Sequence, residues 1–205
     1  MTLPSPVVLD NTVLANFALV ESAPLVLELW APGVCTTAAV MDEYRAGVVA
    51  GTVPQGAWSE LPVTPLDGKE EAMVAGFPQR LGRGERSCLA VAVCRKGALV
   101  SDDLDARKAA IDLGVQISGT VGILIACLEK EMLDLSQADR LLAAMIEQGI
   151  TLRRRSSKSF SRSMDLLAGL QEAQLRPIVF GAFQVPGAAR QKHRGASMID
   201  RHVGR

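Results

Sequence analysis

Apolar residues occur in this chain as short runs that alternate with amphipathic stretches, the pattern of strand followed by helix, repeated. PVVLD, residues 6–10, is an apolar run ending on Asp10, and the TVLANFALV after it has apolar positions at helical spacing. APLVLELW, 23–30, predicts a second short helix, broken by Pro32 and Gly33. VCTT, 34–37, predicts a short strand, with Thr36 or Thr37 capping a helix AAVMDEYRAG that ends at Gly47. In WSELPVTPL, Pro62 and Pro65 permit only an edge or irregular strand. The stretch 70–97 predicts a helix broken around Pro78 to Gly84 and a second one presenting Cys88, Leu89, Val91 and Ala92. Ala98, Leu99 and Val100 then predict a buried strand that runs into Asp102, Asp103 and Asp105. A helix follows, with Ala106, Ala109, Ala110, Ile111 and Leu113 in register until Gly114; VQISGT is another strand, and VGILIACLEKEML and SQADRLLAAMIEQG are two more helices. This order predicts a three-layer α/β/α sandwich around a central, mainly parallel sheet.

Beyond residue 150 the periodicity fades. TLRRRSSKSFSRS is basic and rich in serine, MDLLAGLQEAQL suits one amphipathic helix, and the last stretch of about 20 residues reads as disordered. The expected organisation is therefore a domain over 1–150 and a partly helical basic extension over 151–205. Charge sharpens that boundary. Net charge is zero, but residues 151–205 hold 11 Lys and Arg against 3 acids, a net of +8, and the remainder holds 11 against 19, a net of −8. A basic extension on an acidic body serves to hold a polyanion, to fold back on the body, or merely to stay solvated. Arg153, Arg154, Arg155 and Lys158 are its candidates for contacts to a nucleic-acid backbone.

Composition removes other classes. The chain is 48% hydrophobic and 4% aromatic, with no apolar run near membrane-spanning length and no basic, apolar leader in MTLPSPVVLD, so no membrane role and a cytoplasmic location are expected. Cys35, Cys88, Cys94 and Cys127 are far apart without a CxxC pair, the usage of reduced core cysteines rather than disulfides or zinc ligands.

The candidate chemistry lies in the acids. Asp103 or Asp105 could simply cap the helix they open, and Asp102 could be solvated. In a parallel sheet, however, strands end along one edge, so Asp10 and Asp103 share a crevice if their strands are neighbours. Glu43 in MDEYRAG and Glu85 after the LGRG turn are placed to join them. Four converging carboxylates repel one another, and a hard divalent cation such as Mg²⁺ or Mn²⁺ relieves that repulsion. Phosphoryl chemistry is the usual work of such a site.

The order of motifs, VVLDNTVLANF, TTAAVMDEYRAG, LGRGERSCLAVA, LVSDDLDARKAA and GVQISGTVGILIACLEKEML, resembles the PIN-domain family of metal-dependent ribonucleases over residues 6–150. It is most similar to the branch of short bacterial and archaeal proteins related to VapC toxins. The resemblance implies a catalytic set of Asp10, Glu43, Glu85 and Asp103, with Asp10, Asp103, Glu85 and the adjacent Asp102 around Mg²⁺ or Mn²⁺. Thr12 and Asn11 would support the first acid; Asn11 stands where the family often has Thr or Ser, and Glu85 where VapC proteins commonly have Asp. The implied reaction is hydrolysis of an RNA phosphodiester by an activated water, leaving a 5′-phosphate and a 3′-hydroxyl. Arg107, one helical turn past Asp103, reads first as a solvated or ion-paired helix arginine and only second as a phosphate contact. A toxin of this kind further implies a homodimer and a small antitoxin partner.

Two rival readings are a PIN-like module that binds nucleic acid or protein without cutting, and another Mg²⁺-dependent α/β enzyme. A haloacid-dehalogenase phosphatase needs an Asp where this chain has Thr12, and a response-regulator receiver needs its acidic pair after the first strand, not at Asp102 and Asp103.

Overall fold

The computed structural model describes residues 2–149; the basic extension and its predicted helix lie outside them. In chain order the elements are β1 (Val7–Leu9), α1 (Asn11–Leu19), α2 (Ala23–Trp30), β2 (Val34–Thr37), α3 (Ala38–Val49), β3 (Val63–Thr64) and α4 (Gly68–Gly76). They continue with α5 (Arg83–Cys94), β4 (Ala98–Val100), α6 (Leu104–Asp112), β5 (Gln116–Ser118), α7 (Thr120–Glu129) and α8 (Leu135–Glu147). The strands form one parallel sheet in the order β3-β2-β1-β4-β5. Val7 pairs with Val34 on one side and Ala98 on the other, which makes β1 and β4 neighbours and sets Asp10 beside the end of β4.

Successive strand residues point to opposite faces, so a strand buried at every position is covered on both. All three residues of β1 and of β4 are buried, whereas Val63 in β3 and Gln116 in β5 are exposed at the edges. The chain is therefore the expected α/β/α sandwich. Helix α5 packs across β1, β2 and β4, and the core it closes includes Phe17, Leu89, Leu99 and Ile123. The four cysteines are free, and three of them are buried.

Two boundaries differ from the sequence reading. Helix α3 runs through Gly47 to Val49, because Gly47 is a close-approach position: a Cβ there would lie 3.1 Å from Val53 Cγ2. The reversal falls instead at Gly51, with φ of 71°. Gly84, expected in the break, lies inside α5, whose first turn it forms with Arg83 and Glu85. The edge strand is secured by an ion pair between buried Glu70 and exposed Arg95, in which Arg95 donates to both oxygens of Glu70 (2.7 and 2.9 Å) and also to Thr64 Oγ1 and Pro65 O. That guanidinium holds the Glu70 carboxyl below its usual range.

Candidate active site at the C-terminal edge of the sheet

Asp10 follows the last residue of β1, where its amide continues the ladder by donating to Val100 O (3.0 Å). It stands at the N-cap of α1 but makes no side-chain cap. Its Oδ2 instead accepts from Ser101 Oγ (2.7 Å) and Thr12 Oγ1 (3.1 Å). Each hydroxyl in turn accepts a main-chain N–H from the β4–α6 turn, Thr12 from Asp102 and Ser101 from Asp103, both at 3.1 Å. The two strand ends are thus stitched through the carboxylate. Asp10 is 2% exposed, and burial raises its pKa; the Ser101, Asn11 and Thr12 hydrogen bonds oppose the rise and the charge of Glu43 adds to it.

Of the other three acids, Glu43 and Glu85 lie in helices and Asp103 stands just before one. Thr37 caps α3 by accepting from Val40 N, while Thr36 donates to Leu9 O (2.7 Å), which resolves the alternative left by the sequence. Helix α3 then carries Glu43 to the start of α5, where Oε1 accepts from Gly84 N (2.8 Å). Gly84 is required there: a Cβ would stand 2.5 Å from Glu43 Oε2 and 3.0 Å from its Cδ. Glu85, one residue on, folds back so that Oε2 accepts from Gly82 N (3.0 Å). Asp103 caps α6, with Oδ1 accepting from Asp105 N (2.8 Å) and Ala106 N (2.9 Å); Asp105 is exposed and caps nothing.

These four acids share one electrostatic neighbourhood. Burial pushes Glu85 up to about 7; its bond to Gly82 resists, and the charges of Asp103, Asp10 and Glu43 push further. Glu43 Oε2, Glu85 Oε1 and Asp103 Oδ2 accept no hydrogen bond among the described residues, and none of the four acids has an ion-pair partner there. Oxygen donors with unspent negative charge fit a hard divalent cation. Among the described residues, no three His, Cys, Asp or Glu side chains stand close enough together, as they are placed here, to hold a metal ion between them.

Asp102 does not join the group. Its carboxylate turns to the other side of the turn, where Oδ2 accepts from Asn16 Nδ2 (3.0 Å) and Thr120 Oγ1 (2.5 Å), and Oδ1 from Thr120 N (3.1 Å). Asp102, expected among the metal ligands, thus has each of its carboxylate oxygens engaged by a protein donor. Arg107 has a structural task, since its Nη1 donates to Ser101 O and Ser118 O, both at 2.8 Å, and braces the ends of β4 and β5. Asn11 supports Asp10 through its backbone, not its side chain, because the two hydroxyls occupy Oδ2; its buried Oδ1 is unpartnered. Sequence reasoning misses Ser101, Gly84, Asn16 and Thr120. Only the GE pair and the SGT triplet hint at two of them. Arg153, Arg154, Arg155 and Lys158 lie outside the described residues.

A groove of about 870 Å³ lies apart from this edge, between α2, the end of α1 and the 54–62 loop. It contains none of the four acids, and its charged lining is Glu21, Glu28 and Glu60, which disfavours a polyanion. Among the described residues no helix is long and apolar enough to cross a membrane.

No curated protein and no solved structure matches the chain. The family model DUF3368, described as a PIN domain, matches residues 6–165, so the match takes in every element of the fold and the basic cluster from Arg153 to Lys158. With its parallel sheet and its acidic edge, the chain belongs to the PIN-domain family, a nuclease-type fold.

Proposed function

We propose that the chain is a metal-dependent endoribonuclease of the VapC-like branch, hydrolysing RNA phosphodiester bonds with Mg²⁺ or Mn²⁺. The observation that carries this reading is the uncompensated acidic cluster: four carboxylates from four separate segments, anchored through protein donors, with no cation of the described fold paired to them. Holding such charge together costs stability unless a ligand uses it. A divalent cation bound there lowers the pKa of a water and offsets charge on the phosphate under attack. Asp10 and Asp103, tied to each other through Ser101, hold the cation. Glu43 and Glu85 would help hold it and would orient the attacking water, the hydrolysis leaving a 5′-phosphate and a 3′-hydroxyl. In the cell this activity suits a toxin of a type II pair, a cytoplasmic homodimer restrained by a small antitoxin.

The test is RNA cleavage by the full chain in Mn²⁺ or Mg²⁺, against EDTA and against Asp10→Asn and Asp103→Asn. Each substitution is expected to lower the rate at least about 100-fold. Cleavage that survives both would overturn the assignment of the site. RNA binding without cleavage by wild type, in either metal, would leave a PIN-fold binding module.

A further inference from the structure

We infer that, given the metal reading proposed above, Asp102 is a positioning residue whose side chain fixes the turn carrying Asp103 and supporting Asp10, and is not itself a ligand of the cation.

The residue works in two directions. Its main-chain N–H faces the acidic edge and donates to Thr12 Oγ1, which donates to Asp10 Oδ2. Its side chain faces away, into a triangle made with Asn16 of α1 and Thr120 at the start of α7. Asn16 Nδ2 donates to both Asp102 Oδ2 (3.0 Å) and Thr120 Oγ1 (2.9 Å), and Thr120 Oγ1 donates to the same Asp102 oxygen. Thr120 N takes the remaining oxygen. Asn16 and Thr120 are buried, 7% and 0% exposed. Gly119 makes the notch, for a Cβ there would overlap Asp102 Oδ1 and press on Arg107 Nη1 (3.1 Å). The cluster is a lock between three segments distant in the chain, and turning Asp102 toward a cation would strip its three donors of their acceptor at once.

The direction of each bond gives a decisive variant. In Asn16→Asp with Asp102→Asn, the amide at 102 donates to Thr120 Oγ1 and to the carboxylate at 16, Thr120 Oγ1 again donates to a carboxylate oxygen, and the remaining oxygen at 102 still accepts from Thr120 N. The triangle is restored with its direction reversed, but the carboxylate has left position 102.

Melting temperature of the full chain in EDTA, its rise with Mn²⁺, and RNA cleavage are compared for wild type, Asp102→Asn and the double exchange. Asp102→Asn is expected to lower the metal-free melting temperature and to weaken Mn²⁺ affinity about 10- to 100-fold. The exchange is expected to recover most of both losses and the cleavage rate. Recovery of the metal-free melting temperature without recovery of Mn²⁺ affinity would overturn the inference and make Asp102 a ligand. Unchanged Mn²⁺ affinity in Asp102→Asn would overturn it too. Should Asp102→Asn not fold, Thr120→Val removes two bonds of the triangle and keeps the carboxylate with its bond to Asn16, and it is expected to weaken Mn²⁺ affinity in the same direction. A wild-type chain with no response to Mn²⁺ refutes the metal reading itself. The lock is then judged by the metal-free melting temperatures, which the exchange restores only if the triangle holds the turn.

Discussion

Glu85 concentrates the physical cost of the acidic edge in one side chain. Its bond to Gly82 N is what a capping glutamate normally makes, yet burial and three neighbouring acids push its pKa up to about 7, far from the ordinary 4.5. A carboxyl with a raised pKa favours the fold while it is protonated. Its contribution is complete below pH 4.5 and is lost as pH rises through 7. Glu85→Gln keeps an oxygen for the Gly82 N–H and removes the charge, so in EDTA the variant should be more stable than wild type at pH 8. Because the side chain is partly exposed, the gain is about 1 kcal/mol, less than the full shift would give. Urea denaturation at pH 8 and at pH 4 measures it, and the advantage should vanish at the lower pH. An equal advantage at both pH values would show that repulsion at Glu85 is not its source.

At the scale of elements, the approach of α3 to the start of α5 places two of the four acids, and Gly84 is what lets the Glu43 carboxylate reach the main chain there. In Gly84→Ala the new methyl would meet the Glu43 carboxylate, the free end of a flexible side chain, so Glu43 swings off the Gly84 N–H while the helices stay packed. Thermal melting should change by less than about 1 kcal/mol, since Ala is the better helix former. RNA cleavage in Mn²⁺ should nevertheless fall about 10-fold or more; full activity would show that the Gly84 N–H does not position Glu43. Elements and their order were legible because apolar runs and caps are local signals: β1, α2 and β2 fall where the pattern predicts them. Asp10 and Asp103 were legible as strand-end acids, since parallel strands end along one edge. The role of Asp102 was not, because its partners Asn16 and Thr120 lie 86 and 18 residues away. A local reading sees only that Asp102 adjoins Asp103. Gly47 misled for a similar reason, as the side chain it makes room for belongs to the loop that returns past it.

At the scale of the whole molecule, charge and substrate are in tension. Residues 1–150 carry a net charge of −8, the acids of the site included, and a body of that sign repels RNA before the two meet. The compensating +8 lies in residues 151–205, where Arg153, Arg154, Arg155 and Lys158 come directly after the described residues and inside the family match. We therefore expect these four side chains to bind the RNA backbone, which adds affinity without reading sequence. In the full chain with all four changed to Gln, RNA binding should weaken at low salt, and the slope of log affinity against log salt should become shallower by about 0.7 for each phosphate no longer neutralised on single-stranded RNA. Cleavage at saturating RNA should hold, because none of the four belongs to the acidic edge. Titrations between low and physiological salt measure the slope. An unchanged slope would return the cluster to solvated charge and leave the acidic body to bind RNA through the cation alone, with an affinity that EDTA abolishes.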